Sequence, residues 1–113
     1  MILLVCGGRK YDNRKRLYEL LDHLKPSCVV HGDAPGADKI AGEWAISNGV
    51  PEIRVPANWT FFDNRAGPIR NGWMLEFIKV DAVLAVRGET GTADMIRLAK
   101  VKGIKVLDMR SIT

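Results

Sequence analysis

Five residues near the end of the chain, Gly88-Glu89-Thr90-Gly91-Thr92, are of types that can hold an anion. Glycines let backbone N–H groups approach a ligand closely, and threonine hydroxyls add donors. The apolar run DAVLAV precedes them and a helical pattern follows, so they sit where a strand meets a helix. A helix N-terminus offers free N–H groups and partial positive charge, a combination that favours phosphate. Three other strand-to-helix junctions are built alike: Gly7-Gly8-Arg9, Gly32-Asp33-Ala34-Pro35-Gly36, and a long loop with Asn58, Trp59, Arg65, Gly67 and Arg70. Arg9 or Arg70 would supply charge-assisted hydrogen bonds. None of the four reads G-x-G-x-x-G or G-x-x-x-x-G-K-[ST], so a standard dinucleotide or triphosphate site is not indicated.

The elements that must position these residues follow from periodicity. Continuous or short apolar runs mark strands at Ile2 to Cys6, Cys28 to His31, EIRV, AVLAV and IKVLDM. Leu17, Leu20, Leu21 and Leu24 stripe a first helix, with Asp12 or Asn13 as its cap and Pro26 as its end. Ala37, Ile40, Ala41, Trp44 and Ala45 stripe a second, which Asn48-Gly49 stops. About Ala57 to Pro68 reads as the longest irregular stretch. A third helix is expected from near Pro68, with Trp73, Met74, Phe77 and Ile78 as its apolar face. Thr92, Met95, Ile96 and Ala99 stripe a fourth, ended by Gly103. Strands alternate with helices throughout. That order predicts one α/β domain over residues 1–113, a Rossmann-like parallel sheet of about five strands with helices on both faces. All four special junctions then fall on the carboxyl edge of the sheet, where open α/β sheets bind ligands.

The bulk numbers agree with a soluble globular domain: 113 residues, 47% hydrophobic and 27% charged. No run nears the roughly 20 apolar residues that span a bilayer. The start, MILLVCGGRK, lacks a basic region and a cleavage site, so it reads as a strand and the expected compartment is the cytoplasm. Seventeen Lys and Arg against thirteen Asp and Glu give a net charge of +4, which suits an anionic ligand and allows weak nucleic-acid contact. Arg14-Lys15-Arg16 reads as a solvated helix face, and His23 as a surface residue. Cys6 and Cys28 lack CxxC spacing and read as buried hydrophobes. His31 ends a strand without metal partners nearby and reads as a hydrogen-bonded structural residue. No metal and no cofactor are expected.

The segments GGRKYDN, HGDAPGADKIAGEWA, PANW, AGPIRNGWML and GETGTADM run in order from Gly7 to Met95. Together they resemble the YspA-like (cpYpsA-related) branch of the SLOG superfamily. The resemblance implies a Rossmann-like fold that binds a nucleotide or nucleotide-derived ligand. Related branches are the Lonely Guy phosphoribohydrolases, which cleave a base from a nucleoside monophosphate, and the DNA-processing protein A group, which binds single-stranded DNA. Members of the YspA-like branch are often bacterial or phage-encoded. Against the phosphoribohydrolase pattern PGGxGTxxE, Gly88, Gly91 and Thr92 match, Arg87 stands at the proline and Glu89 at the second glycine. The catalytic glutamate aligns with Met95 and the pattern's arginine with Arg70. The YspA-like pattern ADW is Ala57-Asn58-Trp59 here, and DNR stands in place of a Gly-Lys pair.

These alignments imply roles. Arg70, beside Asn71, would hold phosphate in its guanidinium fork, against the plainer reading of a surface arginine. Asp94 is the nearest acid to the missing glutamate. It would stabilise an oxocarbenium-like sugar, or else complement the helix dipole; one position is a turn of about 100° on a helix, which would aim it elsewhere. Asp33 would accept ribose hydroxyls and Asp38 would fix its helix; structural and ligand roles stand level for both. Trp59, with Phe61 and Phe62, would stack on a base or, as the favoured reading, pack the loop onto the core. The expected ligand contacts are Gly7, Gly8, Arg9, Gly32, Asp33, Gly36, Asp38, Trp59, Asn71, Gly88, Thr90, Gly91 and Thr92, with Arg70 and Asp94 as the catalytic pair if the protein is an enzyme. Ligand binding, as in a sensor, is the first reading; N-glycosidic hydrolysis and single-stranded DNA binding are the alternatives. No membrane partner is expected. Relatives with this fold often form dimers, and the resemblance leaves a homo-oligomer open, with the exposed faces of the last two helices available for it.

Overall fold

Apolar runs become the strands of one sheet in the computed structural model, which describes residues 1–113. The strands are β1 (Ile2–Cys6), β2 (Cys28–His31), β3 (Glu52–Arg54), β4 (Ala82–Ala85) and β5 (Lys105–Asp108). The helices are α1 (Arg14–Leu24), α2 (Ala37–Ser47), α3 (Trp59–Phe62), α4 (Ala66–Phe77) and α5 (Thr90–Val101). The strand order is β3-β2-β1-β4-β5 and every pair is parallel. Leu3 sits level with Val29 on one side and Ala82 on the other. This is the Rossmann-like α/β architecture that the alternation of strands and helices implies.

Side chains alternate across a strand, and β1 shows what that does for the core. Leu3 and Val5 point to one face, where Val29 and Leu84 meet Leu17 and Leu21 of α1 and Ile40 and Trp44 of α2. Leu4 and Cys6 point to the other, where Val30, Val83 and Ala85 meet Met74 and Leu75 of α4 and Met95, Ile96 and Ala99 of α5. A strand covered on both faces must be apolar throughout, which explains ILLVC and AVLA. No helix is long and apolar enough to cross a membrane.

The helix ends follow local chemistry. Asn13 is the cap of α1, its side chain accepting the Arg16 N–H at 3.2 Å. Lys25 closes α1 in the left-handed region, just before Pro26. Two expectations need correction. The stretch 57–68 is not irregular: the Asn58 side chain accepts the Phe61 N–H at 3.1 Å and starts α3, and a 3-10 turn over Asp63–Arg65 leads straight into α4. Pro68 thus lies in the first turn of α4. The expected apolar face of that helix is also only half right. Met74 and Leu75 are buried, but Trp73 is 43% and Phe77 77% exposed. Four residues apart, Trp73 and Phe77 share a side of α4 that faces away from the sheet, with only Phe62 of α3 set against Trp73. Trp59 and Phe61 are likewise exposed, so the loop aromatics do not pack into the core. Phe61, Phe62 and Trp73 instead touch edge to face along the surface.

The topology locates the site. From β1 the chain moves outward through β2 to β3, then returns over α4 to β4 on the opposite side of β1. The loops after β1 and β4 therefore part in opposite directions at the carboxyl edge, which opens a crevice between them.

Candidate functional site

That crevice is a cleft of about 640 Å³. Its lining comes from the loop after β1, the turn after β2, the α3–α4 segment and the first turns of α5. Twelve of the residues singled out from sequence meet there: Gly7, Gly8, Arg9, Gly32, Asp38, Trp59, Arg70, Asn71, Thr90, Gly91, Thr92 and Asp94. Asp33, Gly36 and Gly88 lie outside the lining. The Asp33 carboxylate turns outward to Lys39 Nζ at 2.8 Å, and that pairing holds it below the usual carboxylate range. Gly36, at φ +82°, lets the backbone turn into α2 against Gly8. Gly88 sits behind the loop, where a Cβ would lie 2.8 Å from the Gly8 nitrogen. Lys10, Asn64 and Pro68 also line the cleft and were not anticipated. Lys10 had a signal, as the second of two basic residues after the double glycine. Asn64 had none, because its stretch reads as irregular.

Gly8 ties three elements together. Its N–H donates to the Arg87 carbonyl at 2.8 Å, and its own carbonyl accepts from Tyr11 at 3.1 Å and Ala37 at 3.2 Å. Opposite stands the start of α5. Glu89 holds the N-cap position but its side chain makes no capping bond, and the first backbone bond of the helix is Ala93 N–H to Glu89 O. The N–H groups of Thr90, Gly91 and Thr92 therefore have no partner in the chain, and they carry the positive end of the helix dipole. Across the mouth, the Arg9 guanidinium lies over the Trp59 ring at 5.1 Å.

Arg70 is held from three sides. Its Nη1 donates to the Gly32 carbonyl at 2.6 Å and, more loosely, to that of Val55 at 3.5 Å. Its Nε donates to Asn71 Oδ1 at 3.1 Å. Gly32 is required by this arrangement, since a Cβ there would overlap the guanidinium. Only Nη2 makes no bond within the chain, so Arg70 offers a ligand one nitrogen rather than an open fork. Burial lowers its pKa, while the charge of Asp38 works the other way; a guanidinium stays protonated regardless.

Asp38 explains the turn after β2. It is buried, and its Oδ2 accepts the N–H groups of Gly32 at 3.0 Å and Ala34 at 3.2 Å. Burial pushes its carboxyl above the ordinary range, against the pull of those donors, His31 and Arg70. Beneath it, His31 Nδ1 accepts the Asp33 N–H at 2.9 Å, which leaves the proton on Nε2, 2.6 Å from Glu52 Oε2. Glu52 also accepts from Arg54 Nε at 3.0 Å. Burial pushes Glu52 up, but the hydrogen bonds from His31 and Arg54 outweigh it and hold the carboxyl below its usual range. His31 is thus saturated on both nitrogens, as a structural histidine is.

Asn71 is buried and joins the two halves of the site. Besides accepting from Arg70, it donates from Nδ2 to Asp94 Oδ2 at 3.2 Å and to the Gly91 carbonyl at 3.3 Å. Arg97 holds the other oxygen of Asp94 at 2.9 Å. Asp94 consequently lines the cleft despite its offset along the helix, while Met95 is buried in the core. A carboxylate with both oxygens already hydrogen-bonded suits an electrostatic role better than proton transfer. Cys6, on the cleft floor, has its thiol pushed up to about 12 by burial, so it is no nucleophile.

A family model described as YspA, cpYpsA-related SLOG family matches residues 1–62, from β1 through α3. A protein of Mycobacterium phage D29, named Gene 61 protein, is 31% identical to this chain, and the match takes in 94% of each.

Proposed function

Because the chain belongs to the YspA, cpYpsA-related SLOG family, we propose that it binds a nucleotide or nucleotide-derived ligand in the cleft at the carboxyl edge. One observation carries the reading. Three unpartnered N–H groups of α5 share a single cleft with Arg9, Lys10 and Arg70 Nη2. A phosphate on those amides accepts hydrogen bonds without displacing any existing one. Arg70 Nη2 adds charge from the α4 side, and the half-exposed Trp59 offers an aromatic face to the base. A binding module of this kind suits a sensor. The test is a thermal-shift panel of nucleoside monophosphates, cyclic nucleotides and ADP-ribose derivatives. A ligand at about 100 times its Kd stabilises the fold by about 2.7 kcal/mol, a rise of several degrees. A flat response to the whole panel at millimolar ligand ends the reading.

Hydrolysis of an N-glycosidic bond is the second reading, and Asp94 favours it. Its carboxylate, fixed by Asn71 and Arg97, stands in the cleft where positive charge on a ribose would need compensation. Water would add to the sugar as the base leaves. Chromatography of free base after incubation with nucleoside monophosphates tests it, and undiminished release by Asp94→Asn removes the residue from the mechanism.

A further inference from the structure

We propose that Asp38 is a specificity residue of this cleft: its Oδ1 accepts one uncharged O–H or N–H donor from the sugar or base of the ligand, an inference that rests on the nucleotide-binding reading above. Asp38 lines the cleft, yet it is only 7% exposed. Its Oδ2 already takes the N–H groups of Gly32 and Ala34, while Oδ1 has no partner in the chain. Nor is Oδ1 sealed inside the protein, since Tyr11 Oη is the only enclosed side-chain polar atom without a hydrogen bond. The free oxygen of a nearly buried lining residue opens onto the cleft. Two other inward carboxylates make the contrast. Glu52 gives one oxygen to His31 and the other to Arg54. Asp94 gives one to Asn71 and the other to Arg97. Both are spent within the chain, and Asp38 keeps an acceptor for something outside it.

A buried charged oxygen without a donor is costly, and burial does push this carboxyl above its ordinary range. A donor on the ligand relieves that cost. An ionised phosphate cannot, because carboxylate and phosphate oxygens are both acceptors. The phosphate therefore keeps to the free amides of α5, and the group at Asp38 comes from the uncharged part of the ligand. Gly32 fixes the acceptor in place. Its N–H holds Asp38 and its carbonyl holds Arg70, so the carboxylate is braced by the same residue that braces the guanidinium. A preset acceptor of this kind rejects an analogue that lacks the donor, since the oxygen is then left unpaired. Two kinds of group on a ribonucleotide qualify: a ribose hydroxyl, or an N–H on the edge of the base.

Calorimetric titration of the full chain with three probes tests this: adenosine 5′-monophosphate, its 2′,3′-dideoxy analogue, and purine riboside 5′-monophosphate, which lacks the amino group. One deletion should weaken binding to the wild type by about tenfold or more. Loss with the dideoxy probe assigns the donor to the ribose, and loss with purine riboside assigns it to the base. Asp38→Asn keeps an oxygen for Gly32 and Ala34 but turns an N–H toward the cleft. In this variant the same deletion should cost no more than about twofold, the coupling expected of two groups in contact. The wild-type series needs no variant, so it decides even if Asp38→Asn fails to fold. Equal binding of all three probes by the wild type overturns the proposal and leaves the cleft as the nucleotide site. A loss that persists unchanged in Asp38→Asn also overturns it, because another residue then reads that group. No binding of any probe overturns the proposal and the nucleotide reading together.

Discussion

Arg70 donates from Nη1 to the carbonyl oxygen of Gly32 at 2.6 Å, joining α4 to the turn after β2 across 38 positions of sequence. The bond belongs to the fold before it belongs to any ligand. Hydrogen bonds to charged groups contribute about 1.5–3 kcal/mol, so Arg70→Ala should lower the unfolding free energy in urea by about that much. Arg70→Lys should lose most of the same stability, because an ammonium has no second nitrogen for Asn71. Both variants should weaken nucleotide binding in the thermal-shift panel.

Gly32→Ala tests the same joint from its other side. The new methyl would occupy the space of the guanidinium, and such overpacking costs about 1–3 kcal/mol. With Arg70→Ala in the background the clash has nothing to meet. The double variant should therefore be little less stable than Arg70→Ala alone, a departure from additivity that urea melts of the four proteins will read.

Asn71→Leu removes the donor shared by Asp94 and the Gly91 carbonyl and the acceptor of Arg70 Nε. These partners are only partly buried, so leaving them unsatisfied should cost toward the lower end of about 1–3 kcal/mol. Asn71→Ser, smaller but polar, should recover part of it. Chemical-shift changes at Gly91 and Asp94 in both variants, compared with a substitution remote from the cleft, check that the loss is local.

Glu52 gives the fold a pH-dependent contribution of defined sign. Its folded pKa lies below the ordinary value of 4.5 despite burial, through His31 and Arg54. The stability it adds is therefore present above pH 4.5 and is lost as pH falls through the lower folded value. Glu52→Gln should be less stable than the wild type at pH 7, and the gap should close as pH falls below 4.5 through the lowered folded value. Urea titrations at pH 7, 5 and 3.5 measure it; a gap that stays constant would show the pair contributes no charge.

Phe77→Gln should leave stability within about 0.5 kcal/mol of the wild type, as surface changes do, whereas Trp73→Gln should cost about 0.5–1.5 kcal/mol through its edge-to-face contact with Phe62. The same substitutions at Met74, which is buried against the sheet, should cost several times more.

Those residues mark where the sequence stops being legible. The strands could be read because burial on both faces demands an unbroken apolar run, and the edge of the site could be read because parallel strands put all their exits on one side. Helical spacing does not say which flank of α4 has a neighbour, so Trp73 and Phe77 passed for core. The spacing argument also aimed Asp94 away from the site, since nothing in the sequence announces that Asn71, on another helix, holds its carboxylate. Likewise, Arg70 reads as a free phosphate fork until the Gly32 carbonyl is brought beside it. Local chemistry could have located α3: Asn58 is a good capping residue three positions before Phe61, but the aromatic run after it has no periodicity.

The Gly8 peptide fastens the ends of β1, β4 and α2 by main-chain atoms alone. Facing it, the rim of the cleft is made of Arg9, Lys10, Trp59 and Glu89, all exposed side chains. Because main-chain bonds do not depend on which side chain is present, the floor keeps its shape whatever the rim becomes. Ligand preference in such a protein is free to drift by single substitutions, with no toll on folding. A lineage could change what its cleft presents while its architecture stands still.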